Sequence, residues 1–246
     1  TRFQTNKDLV IFDDDNEIPT KLANLGKAKQ VTFGLTKNIR KNANNAEKSI
    51  IYKDEEIINT DQLPVRGKHN VINSIPSIII AKELGCKTSD IAGSLKTFRA
   101  LPHRLEIVAQ NNGVTYVNDS LSTAPKSAIA AINSFDNSPI ILIAGGHDRS
   151  LEFTELAKAI VDSNVKHLIL FPTTGEKILK EILKLEKTHR KINHSNANSM
   201  KKAVETAKSI VKSGDVVLLS PASASFGLFK NYRDRGDQFK KLVNEK

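Results

Sequence analysis

Hydroxyl, acid and guanidinium side chains gather in four short stretches of the chain, each directly after an apolar run. Ser220-Pro221-Ala222-Ser223-Ala224-Ser225 follows residues 216–219, and Asn118-Asp119-Ser120-Leu121-Ser122-Thr123 follows residues 114–117. Gly145-Gly146-His147-Asp148-Arg149-Ser150 follows residues 140–144, and Pro172-Thr173-Thr174-Gly175 follows residues 167–171. Such a set suits an anionic small molecule. Arg149 can clamp a carboxylate through two parallel hydrogen bonds, and Asp119 can accept from ribose hydroxyls or orient a cation. The glycine pair permits close backbone approach. Each residue also has a plainer reading. Ser220 and Ser225 are favoured caps for a helix starting at Phe226, and Arg149 and Asp119 can be solvated turn residues. His147 and His194 read as turn or surface histidines, and Asp13-Asp14-Asp15 as an acidic turn at a strand end.

The elements that must hold these stretches in place alternate regularly. Short apolar runs at 114–117, 140–144, 167–171, around Ile192 and at 216–219 predict strands. Amphipathic segments at 124–134, 153–161, 175–187, 199–212 and 226–243 predict the helices between them. Strand and helix in turn, with short connections, give a largely parallel sheet covered on both faces, so the polar stretches fall together at the carboxyl edge of its strands. Before this region, 9–12 and 30–33 read as strands, 39–47 as a polar connection, and 49–52 with 56–58 as a hairpin. A helix follows to Gly85, its first turns carrying His69, Asn70 and Asn73. The two asparagines are three apart and share a face. They can pair with a base edge or serve as caps. Thr88-Ser89-Asp90 is expected to cap a helix over 91–98, and Arg99 to Arg104, with Pro102, reads as a domain junction.

Composition removes several function classes. The chain has 246 residues, 39% of them hydrophobic and 26% charged, enough for two ordinary domains. One cysteine, Cys86, rules out an internal disulfide and any multi-cysteine metal site. No apolar run approaches the ~20 residues of a membrane-spanning helix, and the first residues lack the apolar core of a signal peptide, so a cytoplasmic protein without membrane contact is expected. A net charge of +10 implies anionic partners. The lysines are spread along helices, however, and only 5% of residues are aromatic, which argues against nucleic acid. G-x-G-x-x-G, the Walker pattern, H-E-x-x-H and G-x-S-x-G are all absent.

Five ordered groups of residues go further: Gly67-Lys68-His69-Asn70-x-x-Asn73; Leu101-Pro102-His103-Arg104-Leu105-Glu106; Asn118-Asp119-Ser120-x-x-Thr123; Gly145-Gly146-x-Asp148-Arg149; and Leu219-Ser220-Pro221-Ala222-x-Ala224-Ser225, with Phe229-Lys230-Asn231-Tyr232-x-x-Arg235-Gly236 behind it. In order and spacing they resemble the motifs of the Mur ligases, the glutamate-adding branch in particular. The resemblance implies an α/β chain in which residues 1–100 are the C-terminal part of the central ATP-binding domain and 101–246 a Rossmann-like C-terminal domain. It implies an upstream portion with the Walker loop, most Mg²⁺ ligands and a carbamylated lysine, without which this polypeptide should not turn over. The implied reaction joins glutamate, D-glutamate by default, to UDP-MurNAc-L-alanine at the expense of ATP, through an acyl phosphate, in a monomeric enzyme of peptidoglycan synthesis. On this resemblance Asn70, Asn73, Arg104 and Asp119 contact ATP, while Thr123, Arg149, Ser225 and Tyr232 bind glutamate or the nascent product. No catalytic residue or metal ligand is assigned on this chain. Leu121 stands where the branch commonly has lysine, and Ser120-Leu121-Ser122-Thr123-Ala124-Pro125 is closer to a form associated with L-glutamate addition. An L-glutamate-adding ligase and a non-catalytic nucleotide-binding module are the alternatives.

Overall fold

The computed structural model describes residues 1–41, 48–65, 67–185 and 190–245; part of the polar connection, Arg66 and Lys187 fall outside them. The chain forms two compact units, Thr1–Arg99 and Ala100–Lys246. In the first, β1 (Leu9–Asp13) and β2 (Lys29–Phe33) are parallel neighbours joined through α1 (Glu17–Asn24). After α2 (Leu35–Asn38), β3 (Ile39–Lys41) pairs antiparallel with β4 (Lys48–Tyr52), which pairs in turn with β5 (Glu55–Asn59). The expected polar connection therefore begins as a strand. Backbone pairing with Ser49 and Ile50 sets that edge, and a segment with one apolar residue does not advertise it. Lys53 and Asp54, at φ +47° and +63°, make the tight turn that a two-residue hairpin loop requires.

α3 (Lys68–Glu83) and α4 (Thr88–Lys96) complete this unit, with Ile50, Ile58, Ile75, Ile78 and Ile79 at the centre of its core. Thr88 is the first residue of α4 rather than its cap. Its hydroxyl is drawn to Glu55 and Lys82, and Lys87 occupies the capping position.

The second unit is a six-stranded sheet in the order β10-β9-β8-β11-β7-β6. It is built from β6 (Glu106–Asn111), β7 (Val114–Asn118), β8 (Ile140–Gly146), β9 (Val165–Thr173), β10 (Asn193–Asn196) and β11 (Val216–Leu219). Every pairing is parallel except β6 with β7, whose turn uses Asn112 and Gly113 at positive φ. The expected mainly parallel α/β sheet is borne out. Alternation along β8 divides the core. Ile140, Leu142 and Ala144 face α5 (Pro125–Ile132), α6 (Thr154–Asp162) and α7 (Thr174–Leu185), whereas Ile141 and Ile143 face α8 (Met200–Ile210) and α9 (Tyr232–Asn244).

Two expectations change here. The serine stretch does not open a helix: α9 starts at Tyr232, capped by the Asn231 side chain, which accepts from the Arg233 and Asp234 amides. Residues 220–231 are instead a loop over the sheet edge. The glycine pair likewise makes room for the chain itself. A Cβ on Gly145 would lie 2.5 Å from the Phe171 carbonyl oxygen, and one on Gly146 2.4 Å from that of Ala224, with φ at +101° and +144°.

Candidate functional site

β11 inserts between β7 and β8, so the turns leaving these three strands crowd at one edge, where open parallel sheets bind ligands. The ladder continues past the strands. The Asp119 amide donates to Leu219 O (2.8 Å), the Gly145 amide to Pro221 O (2.8 Å) and the His147 amide to Ala224 O (2.8 Å). Side chains then lock the layers. Ser220 Oγ donates to Asp119 Oδ2 at 2.7 Å, and the Leu105 amide to Asp119 Oδ1 at 3.2 Å. Thr174 Oγ1 donates to Gly146 O at 3.0 Å and meets Ser223 Oγ at 2.7 Å. Asp148 accepts from the Ser150 amide and pairs with Lys177 on α7.

Burial raises the Asp119 carboxyl above the ordinary aspartate value, while Ser122, Ser220, the Leu105 amide and the Arg104 charge pull it back. Asp119 is only 2% exposed, so it supports the rim from below before it can meet any ligand. The Arg235 guanidinium, on α9, is also fully buried. Nε donates to Ser120 Oγ (2.9 Å), and the two terminal nitrogens to Ser120 O (2.9 Å) and Ser223 O (3.0 Å). Ser120 Oγ donates onward to the Tyr232 carbonyl at 2.8 Å. Gly236 is required next in line, because a Cβ there would stand 2.2 Å from His103 Nδ1.

These bonds sort the rim into two sets. Asp119, Ser120, Ser220, Ser223, Thr174 and Arg235 have their polar side-chain atoms bonded within this unit. Thr123, Arg149, Ser225 and Tyr232 have side-chain polar atoms with no hydrogen bond or ion pair among the described residues. Ser225 is mostly buried, yet the only completely covered and unpartnered side-chain atom among the described residues is Gln4 Oε1. The Ser225 hydroxyl therefore still meets solvent. Cross-linked loops and the first residue of α9 carry this second set. The His147–Ala224 bridge ties the Arg149 loop to that of Ser225, and Ser120 ties the Thr123 loop to Tyr232. Arg104 is half-buried, and its charge acts on Asp119. Asn70 and Asn73 lie in the other unit, near the start of α3, half-buried and exposed respectively. Arg235 has no role expected from the sequence. Its signal was there to find: it stands four residues before Phe239 and eight before Val243, on the buried stripe of α9.

Residues 103–223, from the His103 turn through the serine loop, match the family described as Mur ligase, glutamate ligase domain. Through this domain the chain belongs to the Mur ligases. It is 38% identical over 240 residues to the UDP-N-acetylmuramoylalanine–D-glutamate ligase of Caldicellulosiruptor bescii, covering 96% of this chain and 51% of that protein. It is 39% identical over 198 residues to the ligase of the same name from Aquifex aeolicus, covering 79% and 45%. The chain spans about half the length of the curated relatives it matches. Among solved structures, MurF from Acinetobacter baumannii aligns with a TM-score of 0.70 at 13% identity, covering 96% of this chain and 52% of that one. The MurF ligase of Thermotoga maritima, in complex with ADP, aligns at 0.65 and 15%, covering 96% and 53%. At these identities the likeness is one of fold. No helix among the described residues is long and apolar enough to cross a membrane.

Proposed function

We propose that this chain is the C-terminal half of an ATP-dependent ligase that adds D-glutamate to UDP-N-acetylmuramoyl-L-alanine in peptidoglycan precursor synthesis. The observation that carries the reading is the division of the rim. The four side chains expected at the amino acid keep polar atoms without a hydrogen bond or ion pair among the described residues, on loops and a helix start that other polar residues brace. In this reading Arg149 pairs with a glutamate carboxylate, Thr123 and Ser225 offer hydroxyls to the carboxylates, and the Tyr232 ring walls the site. Catalysis of this kind is mostly positioning and charge neutralisation, which suits a rim of fixed donors.

The first unit is proposed as the end of the central ATP-binding domain. Two features support this. β1 and β2 form a two-stranded parallel pair, and such pairing occurs almost only inside larger sheets covered on both faces. Ile18, Leu22 and Leu25 also leave an apolar stripe exposed along α1. ATP supplies the phosphoryl group that activates the terminal carboxylate of the nucleotide substrate. Asn70 and Asn73, on one face of α3, would hold the adenine, and Arg104 the phosphates. Asp119 would reach the ribose only once one of its oxygens is uncovered. The described residues contain no group of three or more His, Cys, Asp or Glu side chains that could hold a metal ion.

The test is phosphate release by the full-length protein with UDP-MurNAc-L-alanine and each glutamate enantiomer. Release with D-glutamate is expected, and release with neither enantiomer refutes the reading. Leu121, an apolar residue where the branch commonly has lysine, favours L-glutamate as the alternative, and release with that enantiomer alone would select it.

A further inference from the structure

Arg235 is the largest fully buried side chain in the described structure, and all its hydrogen bonds go to neutral oxygens. Burying an unpaired cation is costly, and a core that required only volume would hold leucine or methionine there. The guanidinium must therefore do something that an apolar side chain cannot. Its rigid fork spans two loops at once: Nε and one terminal nitrogen hold Ser120, and the other terminal nitrogen holds the Ser223 carbonyl. The first loop leads to Thr123 and the second to Ser225. Asp119, which joins the same loops at another point, has its own anchors in Ser220 and the Leu105 amide.

We infer that Arg235 is a positioning residue that sets the separation of the Thr123 and Ser225 loops through its three-point fork, and so governs glutamate affinity without touching glutamate. The inference deepens the proposed function and rests on it for the identity of the ligand. Lysine would keep the charge, but a single nitrogen on a flexible stem cannot reproduce a planar fork.

The experiment compares wild type, Arg235→Lys and the milder Ser120→Ala in the full-length protein, by amide hydrogen exchange and by steady-state kinetics. In Arg235→Lys the Leu121, Ser122 and His147 amides should exchange at least tenfold faster while β8 and β9 keep their protection. KM for D-glutamate should rise about tenfold, with KM for ATP changed less than threefold. Ser120→Ala, which removes the acceptor of Arg235 Nε together with the donor to Tyr232 O and leaves the buried charge, should move both readouts the same way by about threefold, and it serves if the lysine variant does not fold. Unchanged exchange at the rim, exchange raised uniformly through the unit, or a loosened rim with unchanged KM for glutamate would each overturn the inference. A wild-type protein that shows no activity with glutamate would sink the proposed function instead, leaving the exchange experiment to decide whether Arg235 sets the loop spacing.

Discussion

Ser220→Ala is the sharpest probe of how the rim is held. The hydroxyl is wholly buried and donates to Asp119 Oδ2 at 2.7 Å, so alanine leaves a buried carboxylate oxygen without its donor. A hydrogen bond to a charged group contributes roughly 1.5–3 kcal/mol, so the second unit should lose about 2 kcal/mol at pH 7. The sign of its pH dependence follows from linkage. Burial already holds the Asp119 carboxyl above its unfolded value of 3.8, and removing a donor that favours the ionised form raises it further. A raised carboxyl leaves the folded state carrying more protons than the unfolded one. Stability therefore falls as pH rises from 3.8 through the folded value, and levels off above it. The variant should differ little from wild type below pH 3.8, fall behind as pH rises, and keep a constant deficit near neutrality. Urea unfolding read by hydrogen exchange on peptides from β11 isolates this unit. With a slope of about 2 kcal/mol per molar urea, the pH 7 midpoint should drop by about 1 M. A deficit of the same size at pH 3.5 and pH 7 would refute the charge-based account and leave only a packing defect.

Four further outcomes can be checked. Gly146→Ala places a methyl carbon 2.4 Å from Ala224 O at a φ open mainly to glycine, and should cost about 2–5 kcal/mol in denaturant unfolding while abolishing protection of the His147 amide. Arg149→Ala should raise KM for glutamate roughly 10- to 100-fold with little effect on ATP, as expected for losing one charge-assisted contact, and equal effects on both substrates would count against the assigned role. Leu121→Lys, which restores the cation common in the glutamate-adding branch, should lower KM for D-glutamate in the same assay. In the first unit, hydrogen bonds from Lys53, Tyr52 and Lys29 hold the Glu83 carboxyl down at about 2, against 4.5. A depressed carboxyl contributes stability above the unfolded value that is lost as pH falls from 4.5 towards 2, so acid unfolding of this unit should begin at higher pH in Glu83→Gln.

Periodicity carries the order of strands and helices in the second unit, but not the start of α9, which lies at Tyr232 rather than Phe226. Strands a few residues long alternate with amphipathic helices, and local pattern carries both kinds of element. The gathering of four polar stretches at one edge follows from parallel pairing, and the motif spacing carried the resemblance to the family. What those stretches do could not be read locally. Ser220 and Asp119 are 101 residues apart in the chain, and only the insertion of β11 between β7 and β8 makes them partners. That insertion turns two of three loop serines into internal braces and leaves Ser225 open. It spends the freedom of the glycine pair on the chain's own carbonyls and buries Arg235 against the neutral oxygens of Ser120 and Ser223. Residue type limits what a side chain can bond to, but the long-range sheet order decides which polar atoms are used up inside the fold and which remain for a ligand.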